Sequence, residues 1–272
     1  MNSFEKLVNF FQKTMQTPAE WGSWHIVSIV LTVLACVLCG FIMRRASLGQ
    51  LRVFLGIAGG LLMLLEVMRQ LVFDMTVIDG TAVWDYQWFL FPFHFCSMAM
   101  YVSFISGIVK PSKLQDYLLS FLTSFAILAG FIVMIVPSQV LCHFTYVNVQ
   151  TMIHHGGMLV IATAILSSGY AKLDFKNILK GTLVFSVCVS LGLIADVVAV
   201  KIFKIAETFN MFFISPYFEC PMPVFGTIYT LVPYPVFLLI YLAAFFLGTC
   251  IVVYLLKLAI TLVNKLRKLA KA

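Results

Sequence analysis

Residues 24–43, WHIVSIVLTVLACVLCGFIM, decide the fold class of this chain. The stretch contains no Asp, Glu, Lys or Arg, and two arginines, Arg44 and Arg45, follow it directly. At a rise of about 1.5 Å per residue, a helix of this length crosses a hydrocarbon layer of about 30 Å. An apolar stretch of this length that ends in positive charges predicts a transmembrane helix.

Six further stretches have the same length and character. They lie over about 51–73, 88–109, 115–136, 147–168, 178–200 and 233–256. The composition agrees, because 62% of the 272 residues are hydrophobic and only 11% are charged, unlike a soluble domain. The sequence therefore predicts an all-α membrane protein, with a bundle of seven transmembrane helices over residues 21–262.

The basic residues between the spans predict the orientation of the bundle. Lys and Arg collect in the turns after spans one, three and five and in the tail 263–272, whereas the opposite turns hold aspartates or little net charge. Cytoplasmic loops carry the excess of Lys and Arg. We therefore expect the amino terminus outside, the carboxyl terminus in the cytoplasm, and the protein in the plasma membrane as a multi-pass chain.

Two segments outside the spans have distinct patterns. Residues 3–16 alternate apolar and polar side chains at helical spacing, which predicts that segment 1–20 forms an amphipathic helix in the membrane interface. The connection 201–232 is long, apolar and interrupted by prolines. Because irregular backbone at membrane depth must be covered by protein or water, we expect this connection to fold over the bundle mouth as a lid.

The sequence also argues against several partners and sites. No basic stripe interleaved with aromatic residues is present, so we expect no nucleic acid partner. The seven cysteines form no CxxCH motif and no zinc-type spacing with histidine, so we expect no metal and no cofactor. We also expect no cleavable signal peptide. Cys142 and Cys220 both fall on the expected outer side, and whether they pair stays open.

Polar side chains inside the spans fall at one depth. An ionisable group at mid-helix costs about 2.5 to 3.5 kcal/mol on insertion into the membrane, so we expect each such group to have a structural or functional role. Five spans deliver such groups to the outer half of the bundle, while the inner half is almost purely apolar. One shared, partly hydrated cavity would satisfy them together. The expected site residues are His25, Glu66, Arg69, Gln70, His94, Cys96, His154, His155, Asp196 and Asn210.

Several of these residues also have a purely structural interpretation. Glu66 and Arg69 lie three residues apart and form a private ion pair equally well. Asp196 lies near a helix end, from which it can reach the interface. A single buried histidine is usually a packing residue, so only the convergence of these groups favours a functional site.

Cys96 and a histidine at the same depth on another helix suit covalent catalysis. The imidazole takes the thiol proton and the thiolate attacks a carbonyl carbon, and a carboxylate such as Glu66 can orient the imidazole. His94 lies about 200° around a regular helix from Cys96, which makes it a poor partner unless a proline distorts the turn. His154 and His155 escape this objection, but because they are adjacent they cannot both face the cavity.

Five stretches of sequence carry a resemblance to a known family. FPFHFCSM (91–98) resembles the Pro-x-His-x-Cys-Ser signature of the YwaF family of integral membrane proteins, and VQTMIHHGGM (149–158) resembles its stretch leading into His-Gly. GSWHIVSI (22–29) matches the start of its first span, and Glu66 with Gln70 matches its second. Its last outer connection is matched by residues 210–223.

This resemblance implies a lipid acyltransferase. The family is similar to the eukaryotic transmembrane protein 164, which moves fatty acyl chains onto lysophospholipids with a Cys and a His. By position, these would be Cys96 and His155, the histidine before glycine, with His154 as the contender. Phospholipids and lysophospholipids are the implied partners. Because an outer site has poor access to cytosolic acyl-CoA, we expect a phospholipid donor and hence a transacylase.

Two other classes of function fit the same cavity. A transporter or ligand-binding protein would line a path with Glu66, Arg69 and Asp196, although the apolar inner half does not continue that path. A haem protein would bind iron through two histidines on facing helices. The sequence leaves open the acyl donor and acceptor, transfer as opposed to hydrolysis, and the oligomeric state.

Overall fold

The computed structural model describes residues 3–79, 81–205 and 208–269 of the chain. The fold is a helical bundle with one small hairpin. Its helices are α1 (Ser3–Phe11), α2 (Ser23–Met43), α3 (Leu48–Asp74), α4 (Met98–Ile108), α5 (Lys113–Leu122), α6 (Phe125–Ile135), α7 (Thr145–Ser167), α8 (Phe175–Lys201), α9 (Pro223–Leu231) and α10 (Tyr234–Leu269). The hairpin pairs β1 (Met75–Ile78) with β2 (Thr81–Trp84) in antiparallel register.

Six helical stretches within the described residues are long and apolar enough to cross a membrane. They are α2, α3, the stretch Lys113–Ile135 that contains α5 and α6, α7, α8 and α10. The stretch Lys113–Ile135 leaves helical geometry at Thr123 and Ser124, where the Thr123 hydroxyl donates to the Leu119 carbonyl (2.8 Å) in addition to the backbone N–H. The all-α membrane class predicted from the sequence is confirmed.

The span predicted over 88–109 is not a continuous helix. A short 3-10 turn covers Trp88–Leu90, irregular backbone follows, and α4 begins only at Met98. Pro92 lacks an N–H group and disfavours helical geometry in the residue before it, so a helix cannot run through this point. The 11 residues of α4 are about 16 Å long, too short to cross a membrane alone. The described residues therefore give six spanning helices and one short apolar helix where seven spans were predicted.

The amino-terminal segment and the hairpin cover one end of the bundle. The Gln12 side chain donates to the Val72 carbonyl of α3 (2.9 Å), and the Phe11 ring packs edge-on against Tyr146 of α7 (5.1 Å). Three large apolar side chains of α1, spaced three residues apart, are exposed; they are Phe4, Leu7 and Phe10. An exposed apolar stripe is the feature that an interfacial helix requires. The hairpin was not predicted from the sequence.

Glycine allows α4 to pack directly on α3. A Cβ atom on Gly59 would lie 2.8 Å from the Met100 carbonyl oxygen, and one on Gly107 would lie 2.5 Å from Gly56 Cα. Such small-residue contacts bring helix backbones together in membrane proteins. The position of α4, and of the residues just before it, therefore depends on these glycines.

We expect Gly59→Ala to lower the free energy of unfolding by about 1 to 3 kcal/mol, because backbone atoms of α4 would have to move. Gly60→Ala is the matched control, since its Cβ would lie 3.8 Å from the nearest Phe104 ring atom. There alanine's better helix propensity should leave stability unchanged or raised by up to about 1 kcal/mol. Unfolding in SDS, followed by circular dichroism, measures both variants. Equal stabilities would contradict this account of the contact.

Candidate functional site

Two irregular segments meet inside the bundle and form the candidate site. The first, residues 85–97, is called the irregular segment below, and the second, residues 208–222, is called the lid. The ring of His94 stacks on the ring of Phe213, with centroids 4.9 Å apart. Further aromatic contacts between the two segments are Trp88–Phe209, Phe91–Phe209 and Phe93–Phe212. The candidate site therefore lies in non-helical segments, whose conformation depends on contacts with the surrounding helices.

Side chains bind the carbonyl groups of the irregular segment. The pairs are Gln70 Nε2 to Leu90 O (3.0 Å), Tyr101 OH to Pro92 O (3.0 Å), His94 Nε2 to Phe89 O (3.2 Å) and His154 Nε2 to Cys96 O (3.3 Å). Backbone groups at membrane depth have no water to bind, so internal partners must satisfy them. Several predicted site residues thus position the segment that carries Cys96.

Cys96 lies in the turn that precedes α4, next to His154 of α7. Because a carbonyl oxygen only accepts, His154 Nε2 donates to it and carries the ring proton. The lone pair is then on His154 Nδ1, which is buried and has no hydrogen-bond partner among the described residues. An imidazole with a free basic nitrogen beside a cysteine can act as a general base.

His155 is held in a different way. Its Nδ1 donates to the Thr151 carbonyl one turn earlier on α7 (2.8 Å), and its Nε2 is buried without a hydrogen-bond partner in the described chain. Its backbone oxygen lies 2.8 Å from the Cβ position of Gly130, at the contact between α7 and α6. The two adjacent histidines therefore have opposite tautomers, and it is His154 that contacts the Cys96 turn.

Glu66 is the centre of a hydrogen-bond network between α3 and α7. It accepts from Arg69 Nε (2.9 Å) and Nη2 (2.6 Å), from Gln70 Nε2 (2.9 Å) and from Gln150 Nε2 (3.2 Å). Its described hydrogen bonds come from guanidinium and amide groups, so Glu66 is not seen to orient a histidine directly. Gln150 lies one turn before His154, and Glu66 therefore fixes the part of α7 that presents this ring.

Removal of the Glu66 carboxylate should destabilise the protein. We expect Glu66→Ala to lower the free energy of unfolding by about 3 kcal/mol, because it leaves Arg69 as an uncompensated buried charge. The value is at the low end for a broken buried pair, since the Arg69 side chain is 17% exposed. SDS unfolding measures the loss.

The double variant Glu66→Ala/Arg69→Met should recover part of that stability, because no unpaired charge remains. If the double variant instead loses the sum of the two single losses, the two side chains are not coupled.

Asp196 and Asn210 hold the lid. Asp196 Oδ1 accepts from the Met211 N–H (2.7 Å), Asn210 Oδ1 accepts from the Ser215 N–H (2.9 Å), and Asn210 Nδ2 donates to the Glu219 carbonyl (3.0 Å). Three tyrosine hydroxyls bind further lid carbonyls; they are Tyr241 to Phe212 (2.9 Å), Tyr234 to Ile214 (2.6 Å) and Tyr229 to Ser215 (3.3 Å). These hydrogen bonds therefore hold the lid backbone in place among the helices.

Two consecutive lid residues have strained backbone geometry. Phe212 and Phe213 have φ angles of 54° and 60°, in the left-handed region that costs a non-glycine residue about 1 to 2 kcal/mol. Gly192 of α8 makes room for this turn, because a Cβ there would lie 2.7 Å from the Phe212 ring. The tyrosine and aspartate hydrogen bonds offset the strain, so the conformation depends on the surrounding helices.

Two cavities adjoin this region. A cavity of about 610 Å³ lies between the irregular segment and the lid and is lined by Gln87, Phe89, Thr208, Asn210, Phe213, Glu219 and Pro221. An apolar groove of about 700 Å³ lies among α2, α3 and α7 and includes Gly156 and Gly157, which directly follow the two histidines. Along α2 the groove extends from Trp24 to Ala35, about 16 Å. Both volumes are in the range of small-molecule sites.

His25 is the predicted site residue that lies apart from this network. Its Nδ1 accepts from the Trp21 N–H (3.0 Å), and its Nε2 donates to the Met134 carbonyl at the end of α6 (3.1 Å). Both ring nitrogens thus have backbone partners, and the side chain is fully buried. His25 joins α2 to α6 as a packing residue.

The described cysteines are all free, including Cys142 and Cys220. Burial raises the pKa of both thiols, which keeps them protonated near neutral pH. Within residues 3–79, 81–205 and 208–269, no three His, Cys, Asp or Glu side chains are grouped to hold a metal ion.

Some residues of the site were missed by sequence reasoning. Gln150 had a signal, because it is a polar residue in an apolar span one turn before His154. Tyr101, Tyr234 and Tyr241 had none, because an aromatic residue in an apolar span is usually only a packing residue. Their hydroxyl groups matter here only because irregular backbone lies opposite them.

Comparison with known proteins gives one match. No curated protein and no solved structure matches this chain. The model of the TMEM164 family matches residues 20–255, a range that includes the irregular segment, the lid, Cys96 and both adjacent histidines. Because the match covers most of the chain and every part of the candidate site, this protein belongs to the TMEM164 family.

Proposed function

We propose that this protein is a membrane lipid acyltransferase that carries a fatty acyl chain on Cys96 as a thioester and transfers it to a lysophospholipid. The contact between His154 Nε2 and the Cys96 carbonyl (3.3 Å) is the observation that carries the proposal. It places the ring beside the turn that carries Cys96 and leaves His154 Nδ1 free to accept a proton. Membership of the TMEM164 family supports a role in the membrane and is consistent with this chemistry.

The proposed reaction has two half-reactions. In the first, His154 Nδ1 takes the Cys96 proton, the thiolate adds to an ester carbonyl of a donor phospholipid, and the C–O bond breaks. The departing lysophospholipid oxygen takes the proton from His154. In the second, His154 removes the proton of an acceptor hydroxyl, whose oxygen attacks the thioester. The C–S bond breaks and the Cys96 thiolate regains the proton, whereas water as the acceptor would give hydrolysis.

The surroundings of Cys96 suit this chemistry. The turn that carries Cys96 leads into α4, and the amino-terminal end of a helix favours negative charge. The cavity of about 610 Å³ is lined partly by polar side chains, among them Gln87, Thr208 and Asn210, which can bind a lipid head group. The apolar groove of about 700 Å³ suits acyl chains. Arg69 and Gln70 would act by holding Leu90, Asn210 and Asp196 by holding the lid, and His155 as the alternative base.

The proposal includes an arrangement in the membrane. The irregular segment and α4 together would make a seventh crossing, with the amino terminus outside and the basic carboxyl end in the cytoplasm, as the distribution of Lys and Arg favours. We place the protein in the plasma membrane and its site in the outer half, in the manner expected of a YwaF-type protein. A phospholipid is then the accessible acyl donor.

The experiment that tests the proposal compares acyl donors. Purified protein in nanodiscs receives a lysophospholipid acceptor with either a deuterated phospholipid or a deuterated acyl-CoA, and mass spectrometry follows the label. Label should pass from the phospholipid. Transfer from acyl-CoA alone would overturn the transacylase assignment, and no transfer from either donor, with the protein shown to be folded, would overturn acyl transfer.

A further inference from the structure

The last helix is longer than a membrane crossing. α10 has 36 residues, which makes it about 54 Å long against a hydrocarbon thickness of about 30 Å. Val253 is its last fully buried residue, and the Lys257 Nζ lies 5.8 Å from the centre of the Tyr254 ring. Tyr and Lys side chains typically mark the membrane boundary. Residues 257–269 therefore extend about 20 Å beyond the bundle, and every one of them is exposed.

This extension, residues 257–269, is amphipathic and basic. At about 100° per residue, six apolar side chains fall on one face; they are Leu258, Ala259, Leu262, Val263, Leu266 and Leu269. Ile260 is the exception and lies on the opposite side. The opposite face and its edge hold Lys257, Thr261, Asn264, Lys265, Arg267 and Lys268. No Asp or Glu occurs anywhere from residue 220 to residue 272. The extension thus combines an uncovered apolar face with positive charge that no acidic neighbour in the same stretch offsets.

We propose that the extension is a binding surface for anionic phospholipids at the membrane face where α10 ends. The apolar face would enter the acyl-chain boundary, and the basic residues would bind lipid phosphates. To lie on the surface the helix must turn near its exit. The Thr261 hydroxyl donates to the Lys257 carbonyl (2.8 Å), a contact of the kind that bends helices.

The positive charge of the extension favours an anionic lipid surface over a second copy of this chain as its binding partner. Two extensions packed face to face would bring the lysine and arginine residues of both copies together, without acidic partners to form ion pairs. An anionic membrane surface attracts the same residues. The surface lies at the end of α10, away from Cys96, so the inference does not depend on acyl transfer.

Two tryptophan reporters test the surface in the full-length protein. Leu262→Trp lies on the apolar face, and Asn264→Trp, two residues away, lies on the opposite face as the matched control. The protein is placed in nanodiscs of zwitterionic lipid, with or without phosphatidylglycerol, and brominated acyl chains quench tryptophans that enter the bilayer. The native tryptophans, Trp21, Trp24, Trp84 and Trp88, contribute the same background to every variant and are subtracted with the parent protein.

In anionic nanodiscs, Leu262→Trp should be quenched roughly threefold more than Asn264→Trp. High salt, or the combined change Lys265→Gln, Arg267→Gln and Lys268→Gln, should remove this difference. Equal quenching of the two reporters in anionic nanodiscs would overturn the proposal. A blue-shifted Leu262→Trp emission without quenching would also overturn it, because it would mean that protein covers the apolar face.

Discussion

Incubated with a phospholipid, the wild-type protein is expected to gain the mass of one acyl chain, whereas Cys96→Ala is expected to gain none. In the proposed reaction the Cys96 thiol supplies the atom that forms the thioester. Loss of a catalytic nucleophile costs about a thousandfold or more in rate. Acyl transfer to a lysophospholipid should fall by that amount in Cys96→Ala, as measured by mass spectrometry of the intact protein and of the lipid product.

The adduct on the wild-type protein should be removed by neutral hydroxylamine, which cleaves thioesters. Cys250→Ala serves as the control, because Cys250 is a partly buried residue of α10 outside the site. It should acquire the adduct like the wild type. An adduct that persists in Cys96→Ala, or that maps to another cysteine, would contradict the assignment of the nucleophile.

The second large effect is expected at His154. His154→Gln should lower the rate of acyl transfer by about 10² to 10⁴, the usual contribution of a general base. His155→Gln should lower it less than about tenfold, because the described hydrogen bond of that ring stays within α7. Single-turnover transfer in nanodiscs measures both, and circular dichroism checks that both variants fold.

The opposite order of effects would assign the base to His155, the histidine that the resemblance implies. If Cys96→Ala and both histidine variants bind phospholipid like the wild type, and the wild type forms no adduct, the protein holds a lipid without reacting with it. The transport or ligand-binding interpretation of the cavity would then stand.

The membrane class was predictable because an apolar stretch of 20 residues is a local property of the sequence. The break in the span over 88–109 was harder to predict, because contacts with other helices stabilise its irregular backbone. Pro92 marks the position, but Gln70, Tyr101 and His154 come from other helices to bind the freed carbonyls. Hydropathy alone detects the apolar character of such a segment and not its conformation.

The sequence predicted which polar residues to group together more successfully than it predicted their partners. His94 and Cys96 lie in the irregular segment, and Asp196 binds the lid directly. Glu66 supports the irregular segment only through Gln70. His25 has the same character in the sequence, yet its partners are the backbone groups of Trp21, just before α2, and of Met134 in α6.

The choice between His154 and His155 depends on the rotation of α7 about its axis. This helix has buried residues on almost every side, so its apolar pattern does not indicate which side faces the Cys96 turn.

Because residues 85–97 depend on contacts with other helices, the parts of the bundle must assemble in a certain order during synthesis. α4 is too short to be inserted as an independent unit, and the segment before it exposes carbonyl groups that lipid cannot satisfy. One of the partners, His154 of α7, is synthesised more than 50 residues after Cys96. The region around Cys96 therefore reaches its final position only after α7 has been synthesised, and Cys96 is among the last parts of the bundle to be assembled.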